Sequence, residues 1–294
     1  MEKSKVYFTR KLEPEALIQM YRTLDKKLTG NVAVKLHSGE RGNQNYLRPE
    51  FVRPLVEEVG GTVVECNTAY GGARNSTKKH VKLIESHGWN KFFKFDLLDA
   101  EGPDDELLIP NGKVLKRNLV GKNMKNYDSM LVLSHFKGHP MGGFGGALKQ
   151  LSIGCGSSAG KSLIHSAGRT EDQNNLWKDL PAQDLFLESM ADAAMSIVDF
   201  FGGNMAFINV MKNLSVDCDC CAVAEDPCMK DVGVLASLDP VAIDQACVDL
   251  IYAQKNDPGQ AHFIERIETR HGIHTVEAAA QLGFGSREYE LIEI

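Results

Sequence analysis

Along the first 135 residues, short apolar runs alternate with longer segments that carry apolar side chains on one helical face. The runs 31–36 (NVAVKL) and 62–66 (TVVEC) are typical of buried strands. The segment 14–28 has one apolar face and begins with Pro14, a residue favoured in the first turn of a helix. This alternation predicts βαβ units and a mostly parallel sheet.

The same patterns continue to the end of the chain. The predicted strands are 6–8, 31–36, 62–66, 130–133, 206–210, 232–235 and 289–294. The predicted helices are 14–28, 48–59, 75–86, 182–200, 240–253 and 274–282. We therefore predict an α/β fold in which a mostly parallel sheet is flanked by helices. It forms one large domain over 1–294, with room for two lobes.

Polar side chains follow four of the predicted strands where each strand ends. They are His37, Asn67, His135 and Lys212. In open α/β sheets the ligand crevice lies at the carboxyl ends of the strands, so these groups are expected to converge there. The alternative is that polar residues stand at these positions only because loops begin there.

Composition and charge exclude several classes of protein. The net charge is −6 and no Lys/Arg stripe occurs, which argues against a nucleic-acid partner. No apolar run reaches the roughly 18 residues of a membrane span. The N-terminus lacks the apolar core of a signal peptide. We therefore predict a cytoplasmic protein that does not bind membranes.

Seven cysteines, an odd number, disfavour a disulfide framework. Four of them cluster, at Cys218, Cys220, Cys221 and Cys228. Thiolates bind zinc, copper(I) and iron–sulfur clusters, but this spacing matches neither the usual ferredoxin nor the usual zinc pattern. Asp217 and Asp219 are expected to raise the thiol pKa values unless a cation is bound. Both a metal or cluster site and a loop without ligand stay open.

The glycine-rich segment 134–168 concentrates histidine and lysine. In an extended chain, His135, Lys137 and His139 point to one face. Two imidazoles on one face can bind a metal, and the lysine between them can hold an anion. The alternative is a solvated loop, or histidines whose ring nitrogens pair with the backbone.

The run 154–162 (GCGSSAGKS) resembles a phosphate-binding P-loop. However, Cys155 occupies the position of the first glycine, and the preceding segment 146–152 is predicted to be helical instead of extended. A looser anion nest of backbone N–H groups and Lys161 is therefore favoured. The loops 35–50 and 67–80 add further cationic candidates, whose alternative role is that of surface charges.

Several motifs occur together: KLHSGERGNQNYLRPEFVRPLVE, NTAYGGARN, LSHFKGHPMGGFGGALKQLSIGCGSSAGK, CDC, DVGVLASLDPVAIDQA and LGFGSREYELI. In them the chain resembles the uncharacterised iron–sulfur-centre proteins, the domain-of-unknown-function family 362. The resemblance implies a metal or cluster role without specifying a reaction. Many similar proteins carry a C-x2-C-x2-C-x3-C-P module after the position of His165. Here 166–181 contains no cysteine, so the ferredoxin-type insert is missing.

Residue types and resemblance together give the candidate site. The catalytic acid–base candidates are His135 and His139. The ligand-binding candidates are Lys35, His37, Arg48, Asn67, Arg74, Lys137, Lys149 and Lys161. The metal-ligand candidates are Cys218, Cys220, His139 and His165.

We expect a metal-binding protein that carries a metal ion or an iron–sulfur cluster beside an anion-binding crevice. Its ligand is an anionic small molecule, and redox activity would require a redox protein partner. One alternative is a metal-independent enzyme that acts on a phosphate- or carboxylate-bearing small molecule. The other is a non-catalytic metal-delivery or partner-binding protein.

Overall fold

The computed structural model describes residues 3–102 and 104–294. Its strands are β1 (Ser4–Thr9), β2 (Val32–Lys35), β3 (Thr62–Glu65), β4 (Phe95–Leu97), β5 (Asp105–Leu108), β6 (Arg117–Val120), β7 (Ser129–His135), β8 (Lys137–His139), β9 (Gly143–Gly145), β10 (Met205–Met211), β11 (Gly233–Ser237) and β12 (Tyr289–Glu293). Its α-helices are α1 (Pro14–Thr23), α2 (Pro49–Val59), α3 (Thr77–Ser86), α4 (Ala147–Cys155), α5 (Ser158–His165), α6 (Gln183–Phe201), α7 (Pro240–Ala253), α8 (Gln260–Thr269) and α9 (Ile273–Leu282).

Eight strands form one sheet in the order β12-β1-β11-β10-β7-β2-β3-β4. The strands from β10 to β4 run parallel, whereas β11 is antiparallel to both of its neighbours. The pairs β5-β6 and β8-β9 are separate antiparallel ribbons. The predicted α/β class with a mostly parallel sheet is therefore confirmed. The extent of the domain, 1–294, stays a prediction.

Helices cover both faces of the sheet, which explains why the central strands read as continuous apolar runs. Along β7, Leu131 and Leu133 belong to the core under α1 and α2, where they join Leu55. Val132, between them, belongs to the core under α4 and α6, with Leu148. This alternation is the two-residue period of a strand. In the described ranges, every helix is too short or too polar to cross a lipid bilayer.

The structure differs from the predicted elements in a few places. Helix α1 ends at Thr23 instead of residue 28, because Asp25 turns the chain with a positive φ of 47°. Helix α5 was not predicted, since its sequence is rich in small residues. It begins with a side-chain cap, in which Ser157 Oγ accepts from the Gly160 N–H. Helix α8 and the short strands β4, β5, β6, β8 and β9 were also not predicted.

The loop 212–232 between β10 and β11 holds the four clustered cysteines. It packs directly against β8, where Gly138 N–H donates to Ser215 O at 2.8 Å. A Cβ on Gly138 would lie 2.3 Å from Val216 O, so only glycine allows this approach. The contact brings the cysteines beside the histidine at the end of β8.

Candidate functional site

The parallel neighbours β2, β3, β7 and β10 end at the same edge of the sheet. Lys35, Glu65 and His135 are the last residues of β2, β3 and β7. This edge, the carboxyl edge, is where ligands bind in open α/β sheets. The polar strand ends seen in the sequence therefore lie along one edge of the sheet.

A cavity opens at the carboxyl edge. Five of the predicted ligand-binding residues line it, namely Lys35, His37, Arg74, Lys149 and Lys161. Glu65, Tyr70, Gln150 and Cys220 are also among its walls. Larger surface clefts, such as the one between Lys5 and Leu238, contain none of the predicted site residues.

Cys218 is fully buried beside this cavity, among groups that stabilise a thiolate. Lys149 Nζ lies 3.6 Å from its Sγ, and the Cys220 backbone N–H donates to the same sulfur at 3.4 Å. Burial raises the pKa of Cys218, but the hydrogen bond from Cys220, the charges of Lys149 and Lys137 and the hydrogen bond from His139 outweigh burial. The pKa of Cys218 therefore lies well below its usual value.

The expectation that the neighbouring aspartates raise the thiol pKa is thus wrong for Cys218. Asp219 is buried against His135 Nδ1 at 2.9 Å and Lys137 Nζ at 3.1 Å, so an imidazole ring and an ammonium group surround its charge. Burial raises the pKa of Asp219, but the charges of His135 and Lys137 hold it below the usual range. His135 Nε2 faces Lys212 O at 2.5 Å. Both ring nitrogens of His135 therefore face oxygen acceptors.

His139 is buried with its ring held in one tautomer. Nδ1 accepts from the backbone N–H of Gly142 at 2.8 Å and of Met141 at 3.2 Å. The ring proton therefore belongs on Nε2, and His139 donates it to Cys218. Burial and the charge of Lys149 lower the pKa of His139 to about 4, which keeps the ring neutral near pH 7.

His139, Cys218 and Cys220 form a candidate metal site, with one ligand-type atom of each within 4.8 Å of the others. Two thiolates and an imidazole are donors that soft transition metals prefer. The cysteines fit this role. His139 fits it less well, because a metal-bound histidine normally donates its other N–H outward, whereas Nδ1 here accepts two hydrogen bonds.

A second group with metal-ligand side chains, His271, His274 and Glu277, lies nearer the surface. Within the described ranges, neither group offers the four thiolates that usually hold an iron–sulfur cluster. The iron–sulfur assignment therefore stays a prediction.

Five predicted site residues lie outside the cavity wall and outside the candidate metal site, namely His135, Lys137, His165, Arg48 and Asn67. His135 and Lys137 contact Asp219. His165 Nδ1 donates to a backbone carbonyl at 2.7 Å, and its ring stacks in the core beside α6. Arg48 is exposed and lies over the Tyr46 ring at 3.9 Å. The Asn67 side chain contacts His80 at 3.2 Å.

The run 154–162 does not form a P-loop. Helix α4 precedes it where a P-loop requires a strand, and Lys161 Nζ donates to Gly156 O at 2.6 Å. Glu65 and Gln150 also line the cavity and were not predicted, whereas Tyr70 belongs to the predicted candidate loop 67–80. Glu65 had a usable signal, since a carboxylate at the end of an apolar strand is expected to face the crevice.

The chain is similar to two solved structures. One is the lactate racemase apoprotein from Thermoanaerobacterium thermosaccharolyticum, at 14% identity and a TM-score of 0.40, covering 69% of this chain and 50% of that chain. The other is a protein from Thermotoga maritima, at 10% identity and a TM-score of 0.43, covering 91% of this chain and 58% of that chain. This chain thus spans about half the length of the racemase. At these TM-scores the similarity supports no conclusion about function.

The chain has no significant match among curated proteins. The sequence profile described as Domain of unknown function (DUF362) matches residues 32–249, which is more than half of the chain. The matched range includes β2, whose Lys35 lines the cavity, and the loop 212–232, which holds the four clustered cysteines. The protein therefore belongs to the DUF362 family.

Proposed function

We propose that the protein binds a thiophilic metal ion through the sulfur atoms of Cys218 and Cys220, beside an anion-binding crevice. The observation that carries this proposal is the cluster in which donor atoms of both cysteines and His139 lie within 4.8 Å of one another. The cluster lies at the carboxyl edge, where ligands of α/β proteins bind.

The protonation states favour metal capture. A metal binds the thiolate and not the thiol, so each cysteine must lose its proton first. The pKa of Cys218 is already well below its usual value. The hydrogen bond to Cys218 holds the pKa of Cys220 above its usual value, so this proton would be released when the metal binds.

The other groups have supporting roles in this proposal. His139 donates its Nε2–H to Cys218 and orients that sulfur, since its Nδ1 is fixed by the backbone of β8–β9. Lys149 keeps the sulfur ionised before the metal arrives. A bound metal would supply Lewis-acid or electron-transfer chemistry to a ligand in the crevice.

Metal content after purification without air tests the proposal. We expect about one equivalent of metal in the parent protein and its loss in Cys220→Ser. Cys228→Ser is the matched control, because Cys228 lies on the same loop but outside the metal site, where its thiol donates to Leu214 O at 3.4 Å. Acid-labile sulfide separates an iron–sulfur cluster from a mononuclear ion. A metal-free parent protein that also fails to bind added zinc would refute the proposal and favour the metal-independent enzyme.

A further inference from the structure

We infer that the cavity beside the two cysteines binds the carboxylate or phosphate group of a small molecule, with Arg74 as its principal anchor. This inference names the ligand class of the crevice in the proposed function. It rests on the position of that site but not on the presence of a metal.

Arg74 provides the first observation. Its side chain is only 3% exposed, and it lines the cavity. Nε donates to Glu40 at 3.2 Å and Nη1 lies 3.6 Å from Glu65, but Nη2 has no partner in the part of the chain that the structure describes. A buried guanidinium N–H without an acceptor is costly, and an oxyanion in the cavity would remove that cost.

Two buried lysines provide the second observation. Lys35 Nζ donates to Leu36 O at 2.6 Å, and Lys161 Nζ donates to Gly156 O at 2.6 Å. Both ammonium groups line the cavity, and neither forms an ion pair with a carboxylate within the described ranges. Burial lowers the pKa of Lys35, and an anion in the cavity would favour the charged form of that side chain.

The charge balance of the cavity wall points the same way. Lys35, Arg74, Lys149 and Lys161 contribute four cationic groups, whereas Glu65 is the single carboxylate among the described lining residues. Glu65 is already engaged, since its oxygens lie 2.5 Å from Ser38 Oγ and 3.0 Å from His80 Nε2. Glu40, which pairs with Arg74 behind the wall, and the adjacent Cys218 thiolate offset two more charges, which leaves one cationic group in excess.

The chemistry of the anchors selects an oxyanion over a halide. A guanidinium group offers fixed N–H donors that match the oxygens of carboxylate and phosphate, while the lysines contribute point charges. Tyr70 hydrogen-bonds Cys220 on the same wall. A ligand held by its oxyanion at Arg74 would therefore present its neighbouring atoms to the cysteines.

The test measures binding of inorganic phosphate and of oxalate to metal-stripped protein by isothermal titration calorimetry and thermal shift, at constant ionic strength set with NaCl. We expect saturable binding and stabilisation by at least one of the two anions, and the one that binds identifies phosphate or carboxylate as the ligand group. Arg74→Lys keeps the charge beside Glu40 and Glu65 but removes Nη2, and we expect it to weaken binding at least tenfold. Lys82→Met is the matched control, because it removes an exposed cation on α3.

Lys35→Met gives a second variant if Arg74→Lys does not fold, and the same loss of affinity is expected. Failure of both anions to bind the parent above the NaCl control would overturn the inference, as would unchanged affinity in the folded variants. Metal content is measured on the same variants. A parent protein that holds metal but binds neither anion overturns this inference alone, whereas a parent protein that binds an anion but no metal overturns the proposed function alone.

Discussion

The ion triad of His135, Lys137 and Asp219 gives the sharpest test of how the cysteine loop is held. Asp219→Asn removes the buried charge that pairs with both cations, at 2.9 and 3.1 Å. Breaking a buried pair on one side costs about 3–5 kcal/mol, because the remaining charge stays buried and unpaired. Asparagine can still accept one hydrogen bond through its oxygen, so we expect the lower end, about 3 kcal/mol.

The assay is urea unfolding followed by circular dichroism and by fluorescence, whose transitions must coincide for the free energy to be defined. At a typical slope of about 2–3 kcal/mol per molar urea, the midpoint should fall by about 1 M or more. Asp217→Asn is the matched control, since it removes the same charge from the same loop. Asp217 is partly exposed and pairs with Arg266 at 3.1 Å, so its loss should cost about 1 kcal/mol or less.

The pH dependence checks the same reasoning. The pKa of Asp219 is lower in the folded protein than its unfolded value of about 3.9, so its stabilisation is present above that value and disappears as pH falls. The stability gap between the parent and Asp219→Asn should therefore narrow below about pH 4. If Asp219→Asn costs no more than Asp217→Asn at neutral pH, the triad does not hold the loop and the argument fails.

Two further predictions concern the supports of the site. Burial raises the pKa of Asp244 to about 6, so its stabilising contribution is complete below the unfolded pKa and lost as pH rises through 6. The stability of the parent relative to Asp244→Asn should drop by about 2 kcal/mol between about pH 4 and pH 7 in denaturant titrations. A stability difference that does not change with pH would contradict the raised pKa of Asp244. Gly138→Ala places a Cβ 2.3 Å from Val216 O and should cost about 1–3 kcal/mol and reduce metal content. Gly71→Ala, where a Cβ meets nothing within 4 Å, should leave stability and metal content close to the parent's.

Apolar periodicity was sufficient to predict the layered fold. Helix α7 begins and ends where the sequence predicts, and the ends of β2, β3, β7 and β10 lie within two residues of their predicted ends. Helix α5 was not predicted, because its apolar face is short and its start depends on the Ser157 cap. Strands β8 and β9 pair only with each other, so their existence depends on tertiary packing.

The candidate site was predictable only in part. The location of Lys35 at the site can be predicted from the direction of the strands alone, because Lys35 is the last residue of a parallel strand. The meeting of His139 with Cys218 does not, since 79 residues separate them and the path of the loop depends on Gly138. The role of Asp219 was also not predicted. Its position next to the cysteines in the sequence suggested that its charge would raise their pKa values, but in the fold this charge lies against His135 and Lys137.

The hydrogen bonds from the N-terminus of α4 to Asp244 link the site to the order in which the chain is made. Ala147 and Leu148 donate to the Asp244 carboxylate at 2.7 and 2.9 Å, and α4 carries Lys149 towards Cys218. During synthesis from the N-terminus, Cys218 emerges from the ribosome before Asp244 does. The lysine that ionises the sulfur therefore lacks its final support at that stage. We expect the nascent cysteines to keep the sluggish reactivity of ordinary thiols, with a pKa of about 8.5, until α7 docks.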